Sequence, residues 1–111
     1  MAMAVLENKS EKYVAATTVS GQAALASTTL PDDLIAWASD PEVPEAYPIV
    51  TYTWLICYKN YPDKNKLQAM QDLLRFGLTE GQKDAETLGY IPLPAGVVTK
   101  ATDALQHLGA Q

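Results

Sequence analysis

Ten consecutive residues, Ile49-Val-Thr-Tyr-Thr-Trp-Leu-Ile-Cys-Tyr58, constrain this chain more than any other part of it. β-Branched and aromatic side chains dominate the run, a composition that suits a pleated, buried surface. Side chains alternate along an extended backbone. Val50, Tyr52, Trp54, Ile56 and Tyr58 therefore face one way, and Ile49, Thr51, Thr53, Leu55 and Cys57 the other. Both faces are largely apolar, which predicts a strand covered on both sides inside an α/β sheet. Such a strand needs neighbours, and the remaining sequence offers few.

The surrounding segments read mainly as helices. Ala-rich residues 19–26 favour a short helix that ends before Pro31, with Thr18 or Ser20 capping its free amides. Met3 to Leu6 suits a strand end followed by the polar turn Glu-Asn-Lys-Ser-Glu-Lys. Prolines 31, 41, 44 and 48 break residues 31–48 into a loop with one short element, either a helical turn or an edge strand around Leu34–Ala38. Asp63 caps a helix carrying Leu67, Met70, Leu74 and Leu78 on one face. Thr79-Glu-Gly-Gln82 has the spacing of a capping box for a further helix running to Leu88, with Gly89 as its left-handed stop. Pro94 opens a last helix with Val97, Ala101, Ala104, Leu105 and Leu108 on one face. At 111 residues the chain fits one α/β domain, with one central strand and three to four helices.

Charge excludes one class of partner. No Lys or Arg lies between Lys12 and Lys59, whereas Asp32, Asp33, Asp40, Glu42 and Glu45 place the whole net charge of -5 in that interval. Nucleic-acid binding needs clustered cations to displace phosphate counterions, and no basic stripe is present. The acids of the middle segment read as solvated loop charge. The N-terminal Met-Ala-Met-Ala-Val-Leu-Glu7 has no apolar run of signal-peptide length, and the longest apolar run falls well short of the ~20 residues of a spanning helix.

Catalytic and metal chemistry find no constellation. His107 is the single histidine and Cys57 the single cysteine, too few convergent groups for a metal site, a nucleophile–base pair or a disulfide. Cys57 is expected to be a buried, inert thiol. No catalytic residue, metal ligand or cofactor site is assigned. Ser20-Gly21-Gln22, a small polar residue and a Gly at a helix start, are the candidate anion contacts, although a helix cap accounts for the same residues. One helix terminus contributes roughly 0.3–1 kcal/mol towards an anion, against about 8 kcal/mol for micromolar capture. No nearby cation makes up the difference. The aromatic residues around the predicted strand serve core packing, with Tyr52 and Trp54 under a helix.

Three blocks in order, residues 4–27 (AVLENKSEKYVAATTVSGQAALAS), 46–59 (AYPIVTYTWLICYK) and 78–98 (LTEGQKDAETLGYIPLPAGVV), resemble the last third of the periplasmic phosphate-binding proteins of phosphate-import ABC transporters. The resemblance runs from about Val5 to Leu108. It implies a partial lobe of a type II periplasmic-binding-protein clamshell, in which a cleft between two lobes holds phosphate for delivery to a membrane permease and its ATPase. It also implies a periplasmic setting, whereas the chain as written carries no export signal, which leaves a cytoplasmic one open. The anion in that family is gripped by an early loop, an Asp, and an Arg closely followed by Ser-Gly-Thr at a helix start, all upstream of this segment. Arg75 sits inside an amphipathic helix, and Ser20-Gly21-Gln22 lacks both the Thr and the preceding Arg. No phosphate ligand is carried over.

Two functions follow as expectations. The chain is the C-terminal part of a phosphate-binding transport protein, binding phosphate only within a complete two-lobed protein. Alternatively it is a repurposed lobe that acts as an interaction or structural subunit, self-associating or pairing with a protein partner through its strand edges.

Overall fold

The computed structural model describes residues 3–109. A hairpin opens the chain: β1 (Leu6–Glu7) pairs antiparallel with β2 (Tyr13–Val14). Its turn closes through Glu11 N–H to Asn8 O, 2.9 Å, and Asn8 N–H to Lys12 O, 2.9 Å, with Glu11 in the left-handed region at φ 58°. That is a type I turn completed by a left-handed residue, a common three-residue hairpin connection.

Helix α1 (Thr18–Ser27) follows, and its cap lies one residue earlier than expected. Thr17 accepts from Ser20 N–H while the Ser20 hydroxyl accepts from Thr17 N–H, a reciprocal box with Ser in place of the usual acid or amide. Residues 28–48 form an irregular loop, as the prolines dictate, and the short element expected around Leu34–Ala38 is absent, with only a turn at 32–33 and a bridge at Ser39. Helix α2 (Lys64–Leu78) starts where predicted, with Asp63 accepting from the amides of Asn65 and Lys66. Helix α3 (Ala95–Gln106) begins directly after Pro94. The mixed α/β class and the three α-helices stand as read.

Two local expectations are corrected. The first concerns the segment after α2, which is a 3-10 turn over Glu80–Asp84 followed by further turns, not an α-helix. Thr79 does not cap it. Its hydroxyl donates to Arg75 O, 2.8 Å, and Gln82 is drawn away to donate to Gly77 O, 2.6 Å, and to accept from Leu93 N–H, 2.8 Å. Gly89 nevertheless performs its expected stop, at φ 84°. Tyr90 N–H bonds Ala85 O and Gly89 N–H bonds Glu86 O, the paired closure of a Schellman motif.

The second correction concerns the central strand. Residues 50–58 belong to no sheet, and the two-stranded hairpin is the sheet of the described residues. A single antiparallel bridge joins Ile49 to Ser39 at the start of the segment. Composition favours extended backbone locally, but a ladder also requires a partner, and none is available within these residues. From Val50 to Trp54 one side of the segment is buried and the other is not, and the alternation ends there, because Ile56 and Tyr58, expected on the buried side, are exposed. Tyr52 lies in the core with Val50 and Trp54 packed beside it, while Leu55 and Ile56 stay 76% and 99% exposed. Cys57 is half-buried, not sealed in the interior as expected.

The core gathers pieces distant in sequence: Leu25 of α1, Ala38 of the loop, Tyr52, and Val97 of α3, with Leu30, Val50, Trp54, Ile91 and Leu93 around them. The Tyr52 hydroxyl donates to Leu25 O, 2.7 Å, so the ring lies under α1 as expected. Trp54 Nε1 donates to Leu34 O, 3.0 Å, and its ring meets Trp37 edge-on at 5.6 Å. None of these large side chains is fully enclosed, and α2 buries no residue completely. The accessible surface of 7989 Å² exceeds by about 2,000 Å² the roughly 6,000 Å² of a compact monomer of this mass. A Cα radius of gyration of 16.0 Å, against about 13 Å for a compact chain of this length, says the same.

Candidate functional site

The candidate anion residues Ser20, Gly21 and Gln22 lie together in the first turns of α1, and each is engaged inside the protein. Ser20 is buried, and its hydroxyl donates towards Ala15 O, 2.7 Å, beyond its place in the capping box. Ser20 O also accepts from Tyr47 N–H at 3.1 Å, which stitches the loop to the helix. Gly21 allows the closest approach. A β-carbon there would lie 2.2 Å from Ile91 Cδ1, so the absence of a side chain lets the extended 90–93 exit lie against α1. Gln22 Nε2 donates to Pro92 O, 3.2 Å, in the same seam. A helix start whose hydroxyl, carbonyl and amide side chain are bonded internally offers an incoming oxyanion few free donors.

Cations do not converge on this turn. Lys9 pairs with Glu42 at 3.7 Å, Lys83 with Glu80 at 2.5 Å, and Lys100 with Asp32 at 3.6 Å, all between exposed or half-exposed groups. Lys100 Nζ also donates to Leu30 O, which ties α3 to the loop. Arg75 lies on the exposed side of α2 and borders a shallow cleft of about 220 Å³ with Gln71, Thr102, Leu105 and Gln106. A second open depression, about 360 Å³, lies between residues 38–40 and 48–51. Ligand pockets of drug-sized molecules typically enclose about 300–1,000 Å³ and bury most of their guest, and neither depression is closed enough for that.

Among the described residues no three His, Cys, Asp or Glu side chains converge as a metal site. No helix among them is long and apolar enough to cross a membrane. His107 ends α3 and is exposed. One perturbed ionisation is resolved: burial pushes the Tyr52 phenol above its ordinary value of 10.0. It lies in the core and faces a backbone carbonyl, a structural setting.

Sequence reasoning passed over Asn8. The residue is 5% exposed. Nδ2 donates to Ala46 O and Pro44 O, both 3.0 Å, and more weakly to Val43 O, 3.3 Å, while Oδ1 accepts from Ser10 N–H and Lys12 N–H. One amide thus closes the hairpin and anchors the acidic loop to it. An Asn in a polar turn gives no sequence signal of a bond 38 residues away.

Two comparisons bear on what this scaffold serves. No protein-family model matches the chain. The Phosphate-binding protein PstS of Methanocaldococcus jannaschii is 31% identical over 119 aligned positions, which cover 96% of this chain and 31% of that protein. The chain therefore spans about a third of the length of this relative. The relative is named for binding, not for catalysis.

Proposed function

We propose that this chain is a PstS-like segment that contributes framework, and not phosphate ligands, to a phosphate-binding protein of an import transporter. Similarity to a phosphate-binding protein over 96% of the chain carries the reading. The internally bonded Ser20-Gly21-Gln22 turn supports the second half of it, because those residues hold α1 to the loop and to the 90–93 exit. The excess of accessible surface over a compact monomer also fits one part of a larger body, residues 1–111 being an incomplete domain of that body. On this reading the protein is not an enzyme. Phosphate, the transporter permease and a periplasmic setting belong to the complete protein.

The test is a chimera in which this chain replaces the corresponding third of the Methanocaldococcus jannaschii protein. Calorimetry should show phosphate binding by the chimera and none at micromolar concentration by the isolated chain. A folded chimera that does not bind phosphate, or an isolated chain that does, overturns the reading.

A second reading has its own observation. Among the described residues, the 50–57 segment presents backbone amides that donate to no acceptor beside exposed apolar side chains, the configuration of a strand-pairing interaction module.

A further inference from the structure

Among the described residues, the backbone amides of residues 50–57 donate to no acceptor. Tyr58 N–H reaches only the Tyr61 hydroxyl, at 3.3 Å. Side chains are sorted by side from Val50 to Trp54. Tyr52 is buried and Val50 and Trp54 are half-buried, whereas Thr51, Thr53, Leu55 and Ile56 are exposed. Tyr52, Val50 and Trp54 thus anchor the segment from one side; the Tyr52 carbonyl accepts from the Thr51 hydroxyl at 3.2 Å, while the backbone amides remain available, as in an edge strand awaiting a neighbour.

Resting on the second reading above, we propose that the neighbour is the same segment of a second copy, paired antiparallel about Thr53. Charge selects both the partner and the direction. Residues 46–58 carry no charged side chain, so two copies meet here without repulsion despite the net charge of -5. Acids 40, 42 and 45 precede the run, and lysines 59, 64 and 66, with Asp63 among them for a balance of two positive charges, follow it. Antiparallel alignment brings the acidic flank of each copy towards the basic flank of the other, whereas parallel alignment sets acid against acid. Pairing about Thr53 puts Thr51 opposite Leu55 and Tyr52 opposite Trp54, so residues that share a face stay on that face. Area agrees as well. The surplus of about 2,000 Å² per chain over a compact monomer is more than the ~800 Å² per partner of a standard interface and lies within the obligate range.

Light scattering on the full chain after size exclusion should give a mass of about twice 12.0 kDa. Leu55→Pro removes one ladder amide and no internal hydrogen bond. It should raise the dimer dissociation constant roughly a hundredfold, since symmetry removes each ladder bond twice, and leave far-UV circular dichroism unchanged. In a Cys57→Ser background, Thr53→Cys should oxidise to a covalent dimer, because directly opposed α-carbons lie about 4.5–5.5 Å apart, within the span a disulfide bridges, whereas Tyr13→Cys on the hairpin should not. A monomeric wild type, a dimer indifferent to Leu55→Pro, equal crosslinking at both cysteines or open-ended aggregation would each overturn the pairing. None of these outcomes touches the phosphate-binding reading, which the chimera decides separately.

Discussion

Asn8 is the position at which one substitution should do most damage for its size. Asn8→Ala removes two accepted bonds, from Ser10 and Lys12, and two well-formed donated bonds, to Pro44 and Ala46, with Val43 sharing a donor. Each such bond contributes roughly 0.5–1.5 kcal/mol net. The two turn amides recover part of this from water, while Ala46 O stays buried, so a total loss of about 3 kcal/mol is expected. With a urea slope of about 1.5 kcal/mol/M, the unfolding midpoint should fall by about 2 M. Trp54 fluorescence follows the transition, at dilutions where the midpoint no longer depends on concentration. Asn8→Asp sharpens the test. It keeps the acceptor for Ser10 and Lys12 but sets a carboxylate against the carbonyls of Pro44 and Ala46. Burial and those dipoles raise the folded-state pKa of that carboxyl above its unfolded value of about 3.9. The variant should therefore be at least as unstable as Asn8→Ala at neutral pH and regain stability as pH falls through the raised pKa. A midpoint for Asn8→Ala within about 0.3 M of wild type, or an Asn8→Asp penalty that does not vary with pH, would refute the assignment of this side chain as the anchor of the 43–46 loop.

Tyr52 supplies an alkaline counterpart. Burial raises its phenol above 10.0, so the neutral form is favoured by folding and the contribution to stability holds below that pH and is lost as pH rises through the folded value. Tyr52→Phe should cost about 1 kcal/mol at neutral pH through the lost bond to Leu25 O and flatten the alkaline fall in urea midpoints; an unchanged alkaline limb counts against it. Glu11→Gly should stabilise by about 0.5–1 kcal/mol, since an exposed residue at φ 58° in the hairpin turn gives up its left-handed strain; a lower thermal midpoint would contradict that. Gly21→Val should destabilise by about 2–3 kcal/mol as its β-carbon drives into Ile91. Adding Ile91→Ala should return about 1 kcal/mol of that loss, and strict additivity of the two changes would argue against the seam.

Much of this architecture was legible in residues a few positions apart. Asp63 stops and starts the chain by accepting from amides two and three residues on, Pro94 precedes a helix it is shaped to begin, and Gly89 closes a turn that other residues adopt with strain. These are short-range interactions, set by backbone geometry and one side chain, and sequence spacing states them directly. The candidate turn Ser20-Gly21-Gln22 was legible only as a helix start. Whether it faces solvent or the rest of the chain depended on Tyr47, Ile91 and Pro92, which arrive from 27 to 70 residues away.

The same distinction separates the expectations that held from those that did not. Thr79-Glu-Gly-Gln82 has the letters of a capping box, but Gln82 finds Leu93 N–H and Gly77 O instead, and the intended helix tightens into a 3-10 turn. Ile49–Tyr58 has the letters of an interior strand, yet only Ile49 makes a bridge. A ladder is a relation between two segments, however, and its hydrogen bonds require a partner edge that no amount of β-propensity creates. By itself, then, the sequence determined where α1, α2 and α3 begin, to within a residue, and which residues are apolar. Only the tertiary structure decided that Asn8 carries the loop, that α1 closes on the 90–93 exit, and that one apolar segment finds no strand partner among the described residues, because those outcomes depend on which distant groups come within about 3 Å of one another.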